Sequence, residues 1–413
     1  DMNFGGIKVN SSGNANAGVV GSVGTIGQIT ITNTADAKAD LVVSGSIGAP
    51  ALTDAQIAAI TTNNSGLSNA QTAFVALEGV KIDHFEDVSL DAQIVATKIA
   101  NGIDITTVGG SVASGVSPSV AFNSFIVLND GTAETAQTAI LSVDVGTENS
   151  MISFSSSAAA QTGNNEVPTS GILVIDGSGM TGQGSAIGNL MFEADYVDFN
   201  GTLQAGTIGN ITVKGGSGIL SQDDQAINFN AAINANTVGA QSFTSSSGSI
   251  DINETVAPLA STQTQLTSMG AISAVSEYND ISFAGTYVAN VGDITLQTAD
   301  KTVTDHSGKT EDNVGKITLD GTIAGNVGDI VATVTGGNIT SASADGLVVK
   351  GNAGTLSLTA GVSTGYTAGS ITGFKETIYG DRGQASLTTT CAWSDGITAV
   401  SYTHLTLPTI YSV

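Results

Sequence analysis

The sequence is short of most residues that mark an ordinary enzyme. Among 413 residues there are one cysteine, five prolines, one tryptophan and three histidines, and lysine plus arginine total 11 against 36 acidic side chains. A lone Cys391 removes both disulfide staples and cysteine-ligated zinc. So few prolines leave long ladders of backbone donors intact, since each proline deletes one. A net charge of −25 argues against nucleic acid as a partner, because that binding rests on lysine and arginine neutralising phosphates, and against anionic lipid. No run approaches the roughly 18 apolar residues of a spanning helix; the apolar runs are short, such as Phe125 to Leu128 and Ile172 to Ile175. No transmembrane segment is expected. Charged residues are 11% of the chain, against about 25% in an average domain. With 41% apolar residues and a mean hydropathy of +0.21, however, the chain is too hydrophobic to be a disordered acidic tail. It should fold, and cations are its expected counter-partners.

Neither end informs the fold. The chain begins at Asp1 with no charged or apolar leader pattern after it. Near the other end, Val400-Ser-Tyr-Thr-His-Leu-Thr-Leu-Pro-Thr409 resembles a translated sequencing adapter. Residues 399–413 are read as adapter-derived, leaving His84 and His306 as the histidines of interest.

What the sequence has in excess is glycine and repetition. Glycine accounts for 52 residues, nearly twice the usual share of about 7%. The segment Gly24-Thr-Ile-Gly-Gln-Ile-Thr-Ile31 returns as Gly206-Thr-Ile-Gly-Asn-Ile-Thr-Val213, and weaker copies follow at Asn290-Val-Gly-Asp-Ile-Thr-Leu296, Asn313-Val-Gly-Lys-Ile-Thr-Leu319 and Asn326-Val-Gly-Asp-Ile330. Gly27 to Gly48 and Gly188 to Gly209 span 21 residues, Gly248 to Gly270 and Gly270 to Gly292 span 22, and Gly292 to Gly315 spans 23. In Ile211-Thr212-Val213 the aliphatics alternate with threonine, so they face opposite sides of a strand. One such turn is too thin to bury its own apolar face, and stability must come from stacking turns about 4.8 Å apart. The pattern predicts an all-β fold, a parallel β-helix with rungs of about 22 residues. Glycine should sit at the corners, where φ is positive or no Cβ fits. Ile211, Ile294 and Ile317 should share one interior column. Antiparallel sandwich domains are the alternative, though the period is shorter than a sandwich domain and no buried Trp/Cys framework exists.

One segment breaks the pattern. Thr53-Asp-Ala-Gln56 and Ser68-Asn-Ala-Gln71 read as capping boxes. Ile57 with Ile60, Phe74 with Leu77, and Ile94 or Val95 with Ile99 offer helical pairs, with Gly79 and Gly102 as stops. The expected organisation is first rungs over 1–50, a helical insertion over 51–102 that caps a strand edge or contacts a partner, a less regular β region over 103–180, and the main solenoid over 181–398.

Candidate chemistry is sparse. Asp223-Asp224 is an adjacent acidic pair that could imitate the carboxylate dyad of a polysaccharide hydrolase, but the supporting basic and histidine motifs are missing. Arg382 is the single arginine, too little for a lyase acting on uronates. His84, in Asp83-His-Phe-Glu-Asp87, and His306 read as surface positions, His84 in a turn after a helix. Hard oxygen ligands are plentiful enough for calcium, with Asp176, Asp300, Asp305 and Asp312 as the candidate ligands. Outward threonines such as Thr30, Thr212, Thr295 and Thr318 suggest ice binding only weakly, because no continuous Thr-x-Thr array is legible.

The Gly-Thr-Ile-Gly-Asn-Ile-Thr-Val motif and its relatives make the chain resemble the glycine-, threonine- and asparagine-rich acidic surface proteins of bacteria, including surface-layer proteins and solenoid passengers of adhesins. The resemblance implies export to the cell surface or medium, calcium-dependent packing in some members, and a structural or adhesive role through self-association or cell-surface polysaccharide. It assigns no residue a role, and a non-enzymatic scaffold is the expectation, with a polysaccharide-processing β-helix enzyme as the alternative.

Overall fold

The computed structural model describes residues 2–4, 25–34, 38–63, 75–111, 114–128, 141–146, 149–154, 170–174, 186–216, 225–259, 266–277, 279–304, 310–361, 369–389 and 400–401. Three long sheets of 12, 11 and 15 strands run along it. The chain visits them in turn. Ile211–Gly215 lies in the first sheet, Gln225–Phe229 in the second, Ala232–Val238 in the third, and Gln241–Ser245 returns to the first, directly on Ile211–Gly215. Every pairing described within these three sheets is parallel; among the described residues the one antiparallel pair of strands, Asp300–Thr304 with Thr310–Val314, is a hairpin outside them. The fold is the parallel β-solenoid that the alternating strands predict, and the sandwich alternative falls.

Interior columns follow from the registers. On the second sheet Phe122, Phe154, Phe199 and Phe229 stand on successive rungs, with ring centroids 4.2, 4.5 and 5.1 Å apart. Phe122 and Phe154 are stacked at an interplanar angle of 6°. Such contacts add about 0.5–1.5 kcal/mol per pair beyond burial.

Glycine forms a column of its own. Gly188, Gly209, Gly239, Gly270, Gly292, Gly328 and their successors each stand two residues before a first-sheet strand. Close approach rather than positive φ demands them. A Cβ on Gly239 would lie 2.7 Å from the carbonyl carbon of Gly209 and 2.5 Å from Asn210 Oδ1. The neighbouring Asn and Asp side chains satisfy backbone donors across rungs. Asn189 Oδ1 accepts from Asn210 N at 2.9 Å, and Asp293 Oδ1 accepts from Asp329 N at 2.9 Å. A second row at another corner runs from Asn290 to Asn326 to Asn352 to Asp381, at 2.9, 2.8 and 2.8 Å.

The rung length is less uniform than the glycine spacings suggest. Equivalent corner residues are separated by 21, 30, 36 and 26 positions, because loops and the hairpin are spliced in at corners, outside the strand ladders. Gly48 lies in a third-sheet strand with φ of +93° and so is not the successor of Gly27. Gly315 likewise opens the second-sheet strand Ile317–Leu319 and is not the successor of Gly292. Ile211, Ile294 and Ile317 are all fully buried in one core, but Ile317 belongs to a different column, above Ile281.

Where residues 76–102 are concerned, the expected helical insertion is replaced by strands. A single α-helix, α1 (Asp54–Asn63), is present among the described residues. Its capping box closes as read, with Thr53 N donating to Gln56 Oε1 at 2.8 Å and Gln56 N to Thr53 Oγ1 at 3.4 Å. The second box and Phe74 fall outside the described residues. Ile94, Val95 and Ile99 do not form a helix; Gln93–Ala96 is a third-sheet strand and Ile99 bridges Leu77. Gly79 and Gly102 precede strands rather than end helices. A chain this rich in aliphatics produces i, i+4 pairs inside strands too. Nor does α1 cap an edge. Ile57 and Ile60 pack on Val95, Phe125, Val127 and Leu173, which belong to the outer face of the third sheet. This explains the unbroken apolar strands Phe125–Leu128 and Gly171–Val174: one face lines the core and the other lies beneath the helix. Residues 103–180 therefore continue the same three sheets wherever they are described.

Candidate functional site

The outer face of the second sheet carries the most organised polar array. Three consecutive strands end on related sequences, Val197-Asp-Phe-Asn200, Ile227-Asn-Phe-Asn230 and Ile250-Asp-Ile-Asn253. In each, the two apolar side chains point into the core, which forces the residue between them outward. Register then places Asp198, Asn228 and Asp251 in one row. The residue after each strand, Asn200 or Asn230, turns the corner, its N–H donating to a carbonyl of the rung before.

The row is internally bonded. Asp198 Oδ1 accepts from Asn228 Nδ2 and from Asn200 Nδ2, both at 2.7 Å, and Asn200 Oδ1 accepts from Asn230 Nδ2 at 3.2 Å. Farther along the same sheet Asn123 Nδ2 donates to Asp91 Oδ1 at 2.8 Å. Side chains on adjacent rungs cover one another. Burial pushes the Asp198 carboxyl above its ordinary value, opposed by the amides of Asn228 and Asn200. Asp251 is raised for the same reason, opposed by Ser282 and Gln225. Tyr196, at the start of the row, is raised by burial and by the charge of Asp198. The array thus offers closely spaced carboxylate and carboxamide groups with one aromatic ring on a rigid support, a set suited to hydroxyl-rich ligands.

Most of the residues singled out from the sequence fall elsewhere than this row or beyond the described residues. Asp176, Asp305, Asp223, Asp224 and His306 lie outside the described residues. Asp300 and Asp312 fall on the two strands of the lateral hairpin, opposite Val314 and Thr302. Among the described residues no group of three or more His, Cys, Asp or Glu is placed to hold a metal ion. His84 is a bulge and not a turn after a helix. Asp83 pairs Thr106 and Phe85 pairs Thr107, so His84 is the extra residue, with φ of +64°, and its Nε2 lies 3.7 Å from Asp83 Oδ1. The array on the second sheet was visible in the sequence as the recurring aliphatic, polar, apolar, Asn pattern, but variable spacing hides it behind the more regular glycine motif.

No protein-family model matches the chain, and neither a curated protein nor a solved structure matches it. No helix among the described residues is long and apolar enough to cross a membrane.

Proposed function

We propose that the chain is a structural or adhesive β-solenoid of the cell surface or extracellular medium, whose acidic outer faces associate with copies of itself or hold cell-surface polysaccharide. The observation that carries this reading is the ladder of Asp198, Asn228 and Asp251 with Asn200 and Asn230, an ordered polar surface built at the repeat of the backbone. Calcium is the proposed counter-ion, because the formal charge is −25 and carboxylate and carboxamide oxygens, the hard ligands it prefers, line the Asp198 row. Size-exclusion chromatography and electron microscopy with and without calcium, together with binding to insoluble polysaccharides, test it. Assembly or retention supports the reading; a monomer indifferent to calcium and to polysaccharide overturns it.

A polysaccharide-processing enzyme is the second reading. What favours it is that Asp198 and Asp251, both raised by burial, stand two rungs apart, about 10 Å at the usual strand spacing, close to the separation of carboxyl groups in inverting hydrolases. Asp198→Asn and Asp251→Asn separate the two readings. An enzyme loses turnover in either variant, whereas a scaffold has none to lose.

A further inference from the structure

The interior of the solenoid encloses a carboxylic acid with no cationic side chain of the described residues acting on it. Glu254 is 0% exposed. It occupies the position before a third-sheet strand that neighbouring rungs fill with Gly201, Ala231, Gly285 and Gly321, as the succession of corner hydrogen bonds shows. Its Oε2 accepts from Gln241 Nε2 at 2.9 Å. Gln241 itself replaces the aliphatic residue that begins the neighbouring first-sheet strands, standing between Ile211 and Ile272. From the next rung comes Tyr287, also fully buried, whose ring passes so close to Gly285 that a Cβ there would lie 2.6 Å from it. The phenol lies beside the carboxyl without closing an ideal hydrogen bond, and Glu254 Oε1 has no partner.

Three separate substitutions of the repeat, a glutamine for an aliphatic, a glutamate for a small residue and a tyrosine accommodated by glycine, thus converge on one buried polar cluster. The groups acting on the carboxyl are Gln241 from the first sheet and Tyr287 from the third, and no lysine, arginine, histidine or second carboxylate among the described residues is one of them. An anion there has lost its water and gained one amide donor and one phenol, which leaves its charge poorly compensated.

We propose that Glu254 is a buried proton-binding site, protonated in the tight form of the solenoid, and that its ionisation loosens the rungs on either side. Burial raises its pKa from 4.5 to about 7, with Gln241 and Tyr287 pulling it back only in part. Because the folded value lies above the unfolded one, the native state holds the extra proton between them. The stabilisation is complete well below pH 4.5, declines as the pH rises to about 7, and is gone above that. Rungs contact mainly their neighbours, so the loosening is local.

Hydrogen exchange of the full chain, corrected for the intrinsic rate, tests this. Between pH 4.5 and pH 8 protection of the amides at Thr255–Ala257 and Thr286–Tyr287 should fall by up to about 150-fold, the linkage expected over that range of a shift from 4.5 to about 7. In Glu254→Gln most of that fall should disappear, leaving only the smaller share of Asp251, whose carboxyl is also raised by burial. An unchanged fall in the variant, or none in the native chain, overturns the proposal. Should the variant not fold, a carbon-13 titration of the Glu254 carboxyl in the native chain decides. Half-titration near neutrality supports the site, and a midpoint near the ordinary glutamate value of about 4.3 refutes it.

Discussion

Ile294 stacks on Ile330, although Ile317 is nearer in sequence and stands in the same Asn-Val-Gly-x-Ile-Thr-Leu setting. The step is the 36 residues that also separate Asp293 from Asp329. Between them the chain forms a lateral hairpin, crosses the second and third sheets, and returns. Position in the column is therefore decided by which corner glycine meets which backbone.

At Gly239 a methyl group has no space, whereas at Gly109 nothing lies within 4 Å of a built Cβ. Neither has a positive φ, so the two substitutions differ in crowding alone. Gly239→Ala is expected to cost about 1–3 kcal/mol through overpacking, and Gly109→Ala to stay within about 0.5 kcal/mol of the native chain. Denaturant melts or local hydrogen exchange measure the difference.

Asn326 Oδ1 receives the backbone N–H of Asn352 at 2.8 Å. Asn326→Ala removes that acceptor and should cost about 1 kcal/mol. Asn326→Asp keeps an oxygen in place and should be nearly neutral. Exchange of the Asn352 amide reports on this bond directly.

Phe154 touches Phe122, Phe192 and Phe199. Phe154→Ala is expected to cost about 3–5 kcal/mol, and Phe154→Leu, which keeps most of the volume, less than about 1.5 kcal/mol. Equilibrium unfolding of the two variants tests the column.

These contacts also explain what could be read in advance. The steps from Gly188 to Gly209 and from Gly270 to Gly292 were legible because nothing is inserted between those rungs. The step from Gly292 to Gly315 misled, since the same tight approach is required at a corner leading into another sheet. Phe125–Leu128 gave no alternation because α1 hides its outer face, a relation no local pattern contains. On the second sheet the Asp198 row depends on register across insertions of different length, so its members share a motif but no period.

Detaching α1 should expose that hidden surface. Ile60→Asp places a charge against the third sheet, where Val95, Val127 and Leu173 are buried. The expected result is a soluble-to-aggregating shift with increased binding of a hydrophobic dye, because the strip beneath becomes a contiguous apolar patch. An equivalent change at exposed Tyr379 should have neither effect.

Arg382 Nη2 lies 3.1 Å from Glu376 Oε2, with both side chains only about a tenth exposed. Burial raises Glu376 to about 7 despite the guanidinium. Its folded value thus exceeds the unfolded one, and stability from this group falls as the pH rises from about 4.5 to about 7. Arg382→Met should accordingly be tolerated at pH 5, where Glu376 is protonated, and cost about 3–5 kcal/mol at pH 8, where an unpaired carboxylate is left inside. Exchange at Glu376–Ile378 distinguishes the two conditions.

The stacking of rungs is tested most directly by cross-linking outward positions in a Cys391→Ser background. The register pairs Thr295 with Val331, neighbours at the roughly 4.8 Å strand spacing that a disulfide can span. Thr295→Cys with Val331→Cys should form a bond rapidly under mild oxidation, and Thr295→Cys with Thr318→Cys should not. Cross-linking of Thr295 to Thr318 with none to Val331 would contradict the fold described here.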